Sequence, residues 1–149
     1  MHFKALLGAA LLAGCAKAKN PGAADTMAAT ETPAAAISLA SVAGLWDVQT
    51  MTETSDSIVT TYILDATDSA AWTFKFPNRD PIPMRATVSG DSVMTESGPF
   101  ESVLRKGVQV RNAGVFRLQD GKMVGMTVAR YETTGPDSVL RLRVVGTKQ

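Results

Sequence analysis

Beyond residue 70, large apolar side chains recur at every other position in several runs. Trp72, Phe74 and Phe76 fall on one face of an extended strand with Thr73 and Lys75 on the other, and Leu140, Leu142 and Val144 oppose Arg141 and Arg143 in the same way. A period of two with one apolar and one polar face predicts half-buried β-strands. Extended over the chain, the pattern predicts strands at 45–53, 58–65, 71–76, 82–89, 92–97, 100–106, 108–119, 122–133 and 138–147, after a short helical turn through Leu39-Ala40-Ser41-Val42. The breaks carry turn chemistry: Asn78-Arg79-Asp80-Pro81, Ser89-Gly90-Asp91, Asp120-Gly121 and Gly135-Pro136-Asp137. Asp120-Gly121 is a strong hairpin signal. The pair Asp-Ser recurs at 56–57, 68–69, 91–92 and 137–138, each time before a strand-like run, and reads as a turn exit. Eight or nine short antiparallel strands fit an all-β fold, either a closed up-and-down barrel or a sandwich.

The first residues follow a different logic. Met1 to Lys4 is a short basic lead, Ala5 to Leu12 is an unbroken run of Ala, Leu and Gly, and small residues follow at Ala13 and Gly14. That is the layout of a secretory signal, and the apolar run is too short to span a bilayer as a helix. Leu12-Ala13-Gly14-Cys15 resembles the lipobox of bacterial lipoproteins. The resemblance implies that the Cys15 thiol receives a diacylglyceryl group, that cleavage falls after residue 14, and that the new amine is usually acylated, typically with palmitate. It also implies an exported protein held to the cell envelope by lipid. Ala16 in place of Asp implies the outer membrane, on its periplasmic face, in an organism that has one. Residues 15–37 then read as the lipidated Cys and a flexible linker, rich in Ala, Thr, Pro and Gly and poor in core-forming side chains. The folding domain is expected at 38–149.

Composition narrows the chemistry. Without Lys4 the chain carries fourteen basic and fourteen acidic residues, so no overall basic excess marks a nucleic-acid partner. The signs nevertheless separate. Ser41 to Glu101 holds nine carboxylates against Lys75, Arg79 and Arg85, and Ser102 to Gln149 holds nine basic residues against Asp120, Glu132 and Asp137. Either cross-strand pairs join the two halves, or the surface is bipolar. The single His2 belongs to the signal segment, which leaves no imidazole for a triad, a general base or a metal site, and Cys15 is the only cysteine. Nucleophile-elbow, phosphate-loop and calcium-loop motifs are missing. Two acid pairs, Asp65 with Asp68 and Glu96 with Glu101, flank predicted turns, where solvated carboxylates are ordinary. The expectation is a non-enzyme with no cofactor and no metal.

Gly44-Leu45-Trp46 at the start of the first strand resembles the G-x-W motif of lipocalins, and the order of helical turn, G-x-W, meander and late basic strand is similar to theirs. The resemblance implies a lipocalin-like barrel of about eight strands closed at one end by a guanidinium over the indole of Trp46, supplied by Arg141 or Arg143. In such a barrel Met51, Tyr62, Trp72, Phe74, Met84, Met94, Met123 and Met126 are candidates to line a pocket for a small apolar or amphiphilic ligand, or equally to fill a solid core. The alternative function is a non-catalytic structural or assembly lipoprotein that binds another envelope protein through its surface, to which Phe100, Arg105 and Tyr131 are candidates.

Overall fold

The computed structural model describes residues 36–149. The expected signal peptide, its Leu12-Ala13-Gly14 lipobox, Cys15 and the linker to residue 35 lie outside the described residues. A helix of one turn, α1 (Leu39–Val42), precedes eight strands: β1 (Gly44–Thr52), β2 (Ile58–Ala66), β3 (Ala71–Lys75), β4 (Ile82–Ser89), β5 (Ser92–Glu101), β6 (Gln109–Gln119), β7 (Lys122–Tyr131) and β8 (Val139–Lys148). Each strand pairs antiparallel with its sequence neighbours, and β8 returns to β1 from Thr52↔Leu142 to Trp46↔Lys148. The sheet is thus a closed up-and-down barrel with no exposed edge.

The nine predicted runs become eight strands because 92–97 and the start of 100–106 are one strand. β5 shifts register against β6 between Ser97 and Phe100, and Gly98 takes a positive φ of 104° there. A side chain at Gly98 would meet the carbonyl of Val110 at 2.6 Å, so only glycine fits this bend. The remainder of the predicted run, 102–106, lies in the loop 102–108.

Connection length distinguishes the two ends. One end carries the short connections 67–70, Gly90-Asp91 and Asp120-Gly121, the last with φ of 51° and 73° as a tight hairpin turn requires. The other end carries the longer loops 53–57, 76–81, 102–108 and 132–138.

The short-turn end is solid. Trp46, Leu64, Trp72, Phe116, Met123 and Val144 are fully buried there. Both indoles have partners: Trp46 Nε1 donates to the carbonyl of Val42 at 2.9 Å and Trp72 Nε1 to that of Thr67 at 3.0 Å. Ser38 and Ser41 cap α1 reciprocally, and the Ile37 amide donates to Gly90 O, so Ile37, Leu39 and Val42 are fixed against the core. Glycines give the rings their room. A Cβ on Gly114 would meet the Phe116 ring at 2.8 Å, and one on Gly125 would collide with the Val115 carbonyl and the Phe116 backbone.

The cation over Trp46 is not the one expected. Arg141 and Arg143 point outward, opposite in parity to the inward Leu142 and Val144, and cannot reach the indole. Lys148 has the inward parity, and its Nζ lies 5.5 Å from the Trp46 ring centroid. Gly44 is part of this arrangement, since a side chain there would overlap the Lys148 stem at 2.6 Å.

Candidate functional site

At the long-loop end the barrel interior is not filled. The inward positions of β2 and β3, the residue just past the end of β3 and the residue following the β5 register shift bring four rings together: Tyr62, Phe74, Phe76 and Phe100. Phe74 stands edge-on to Tyr62, Phe76 and Phe100 at 5.5, 5.5 and 5.4 Å between centroids, and Tyr62 meets Phe76 at 5.6 Å. Edge-to-face packing of this kind holds each ring in one orientation. Across the barrel from β3, Asn112 of β6 and Thr127 of β7 face inward, and Thr50, Thr60 and Thr95 extend the polar wall around β1, β2 and β5. The space left between the walls is about 50 Å³, room for a group of a few atoms.

No residue lining this space carries a full charge. Burial pushes the Tyr62 phenol above its ordinary pKa, so it stays protonated as a neutral hydroxyl. Two hydroxyls are already engaged with backbone: Thr50 Oγ1 donates to Thr60 O at 3.2 Å, and Thr127 Oγ1 to Ala113 O at 3.3 Å. Asn112 Oδ1 is different. It is buried with no hydrogen-bond partner among the described residues, as is Ser97 Oγ directly opposite it on β5. An acceptor left in that state costs about 1–3 kcal/mol, which a donor brought by a guest would recover.

Three arginines brace the loops around the mouth. The guanidinium of Arg79 donates to the carbonyls of Glu101 and Ser102. Arg105 donates to Asp137 O at 2.7 Å and lies 4.0 Å above the Tyr131 ring. Arg143 donates to Thr52 O and Ser55 O and pairs with Asp56 at 2.6 Å. Inside the 102–108 loop, Ser102 Oγ accepts from the amides of Leu104 and Arg105, which turns Val103 and Leu104 over the mouth with their side chains partly exposed.

Of the expected pocket residues, Tyr62, Phe74 and Met84 line this cavity. Trp72 and Met123 belong instead to the sealed core at the other end. Met94 and Met126 occupy outward positions opposite Val115 on its two sides, and Met94 is 47% exposed, so neither faces the interior. Met51 is buried but follows the β1 register shift, opposite the outward Arg143, and lies outside both apolar clusters. Phe100 and Tyr131, candidates for an outer surface, are interior or mouth residues, with Arg105 stacked on Tyr131. Sequence reasoning missed Thr50, Thr95, Asn112 and Thr127. Their even spacing with Val48, Val93, Val110 and Ala129 on the same strands was the available signal.

Comparison of the chain with family models, with curated proteins and with solved structures finds no match. An eight-stranded closed barrel is consistent with a lipocalin-like ligand-binding fold.

Proposed function

We propose that this protein is an exported lipoprotein, tethered to the envelope through acylated Cys15 and the linker, whose barrel binds a small uncharged molecule with an apolar body and one hydrogen-bond donor. The observation that carries the ligand reading is the unfilled long-loop end. Four rings offer an apolar wall, the opposite wall is hydroxyl and amide, and Asn112 Oδ1 lacks the donor such a guest would bring. A carboxylate or ammonium guest would be desolvated there with no counter-charge, which disfavours it strongly. The free space is small, so a guest larger than a few atoms needs Phe100 and the Val103-Leu104 loop to give way.

The reading is tested by following backbone amide shifts in the NMR spectrum of the protein while phenol, cyclohexanol or benzoate is added. Phenol or cyclohexanol should perturb Tyr62, Thr95, Asn112 and Thr127 together, and benzoate should leave them in place. Shifts scattered over the outer surface, or equal for benzoate, would contradict it. The anchor is tested separately, by metabolic incorporation of palmitate that Cys15→Ser abolishes.

A filled barrel working through its outer surface as an assembly lipoprotein is the second reading, and the small volume of the cavity favours it.

A further inference from the structure

The separation of charge seen along the sequence becomes a separation in space. β6, β7 and β8 are consecutive in the barrel wall and contain no acidic residue. Their outward positions hold Arg111, Arg117, Lys122, Arg130, Arg141 and Arg143. Among the described residues, Arg143 is matched by Asp56 and Arg111 only loosely by Glu132, at 3.9 Å; Arg117, Arg130 and Arg141 hold no ion pair. Between these cations the same face is apolar. Val115 stands opposite Met126, Val124 opposite Val145, and Met94 extends the strip onto β5. Val115 and Met94 are each 47% exposed.

Two details show that this is more than a solvated strand surface. Arg111 and Arg130 are direct cross-strand partners, an arrangement that repels unless an anion lies between them. Together with Arg85, whose cross-strand partner Glu96 also lines it, they border one shallow depression of about 370 Å³. Guanidinium forks match phosphate oxygens, and arginine stems lie along apolar surface while their heads reach polar groups. The outward positions of β1 and β2, in contrast, carry Asp47 and Asp65 and no basic residue.

We propose that the outer face of β6–β8 docks the barrel on an anionic phospholipid bilayer, with Val115, Val124, Met126 and Val145 at the headgroup boundary and the arginines on lipid phosphates. The face acts whether or not Cys15 is acylated, so it goes beyond the anchor; with the anchor in place it would be a second, weaker hold on the same membrane.

The test uses the barrel unit Pro33–Gln149, which contains every residue of the core and lacks the lipidation site. It is sedimented with vesicles of equimolar phosphatidylcholine and phosphatidylglycerol, and with vesicles of phosphatidylcholine alone. The protein should pellet with the anionic vesicles only, less so as salt is raised. Each basic residue at a lipid surface is worth roughly fivefold in partitioning, so the triple variant Arg117→Gln, Arg130→Gln, Arg141→Gln should lose on the order of a hundredfold. The same three positions changed to Lys should keep most of the binding. Met126→Asp should weaken it with the melting temperature unchanged. Failure to pellet with anionic vesicles, equal binding to both compositions, or wild-type binding by the triple Gln variant overturns the proposal. So does self-association in the ultracentrifuge that the Gln variant abolishes in the absence of vesicle binding, which would assign the face to a second copy of the chain.

Discussion

At the scale of single residues, the proposed guest follows from Asn112 and Tyr62. Asn112 Oδ1 is a buried acceptor without a donor, so replacing the side chain with an apolar one of similar shape removes a cost rather than a bond. Asn112→Val should therefore leave the empty barrel as stable as the wild type, or up to about 1–2 kcal/mol more stable in urea unfolding, while abolishing the response to phenol. A clear loss of stability would show that the amide is satisfied in solution. Tyr62 sets a pH signature. Its phenol is raised above the ordinary value near 10 by burial, so the folded chain retains a proton that the unfolded chain releases. Stability is then unaffected below about pH 10 and falls as pH rises beyond it, towards the folded pKa. In Tyr62→Phe this contribution to the alkaline decline should be absent, and urea midpoints measured on both sides of that pH would check it.

The elements were more legible than the contents of the barrel. Period-two alternation and turn chemistry located all eight strands and α1, because each strand has one wet and one buried face and each reversal needs residues suited to it. The β5 break at Gly98 looks like two strands in the sequence, because the bend keeps its residues paired with β6 on both sides, a continuity that only the partner strand reveals. The misplaced cation has a simpler cause. The same alternation that put Leu142 and Val144 inside puts Arg141 and Arg143 outside, and carried to the strand end it selects Lys148. The methionines failed for a related reason: a flexible apolar side chain says little about direction, whereas strand parity places Met94 and Met126 outward and Met123 inward.

Glycine positions give the element scale its sharpest prediction. A methyl group on Gly125 runs into the Val115 carbonyl of the neighbouring strand, while on Gly146 the nearest atom is Met123 Cβ at 3.2 Å. Gly125→Ala should cost about 3 kcal/mol or more, as overpacking against backbone has no cheap relief, and Gly146→Ala about 1 kcal/mol or less. Thermal unfolding of the two variants would test the barrel register directly, since similar losses at both sites would mean that β6 and β7 do not approach as described.

For the whole molecule, three surfaces divide the labour in this account. One end is sealed by α1, two tryptophans and Lys148, the other end is open and loop-braced, and one side of the wall is basic and apolar. The bipolar charge was visible in the sequence, but its reading depended on whether acidic and basic strands alternate around the wall. Over β6–β8 they do not, because an up-and-down meander keeps these sequence neighbours adjacent, whereas β4 and β5 set Arg85 opposite Glu96. The interior hydroxyls stayed hidden because threonine is as common on wet strand faces as on buried ones. In cells, Cys15→Ser should move the protein from the membrane pellet towards the soluble fraction, with any residual membrane association sensitive to salt, as expected of a basic face alone.

A small uncharged guest proposed for the open end of the barrel should be carried by the folded protein. Native mass spectrometry of Pro33–Gln149, purified without detergent and then exposed to a lipid extract, tests it most directly. A discrete added mass that is lost on denaturation and is missing from Asn112→Val is the expected result. An apo mass before and after exposure to the extract would contradict it and leave the barrel acting through its outer wall.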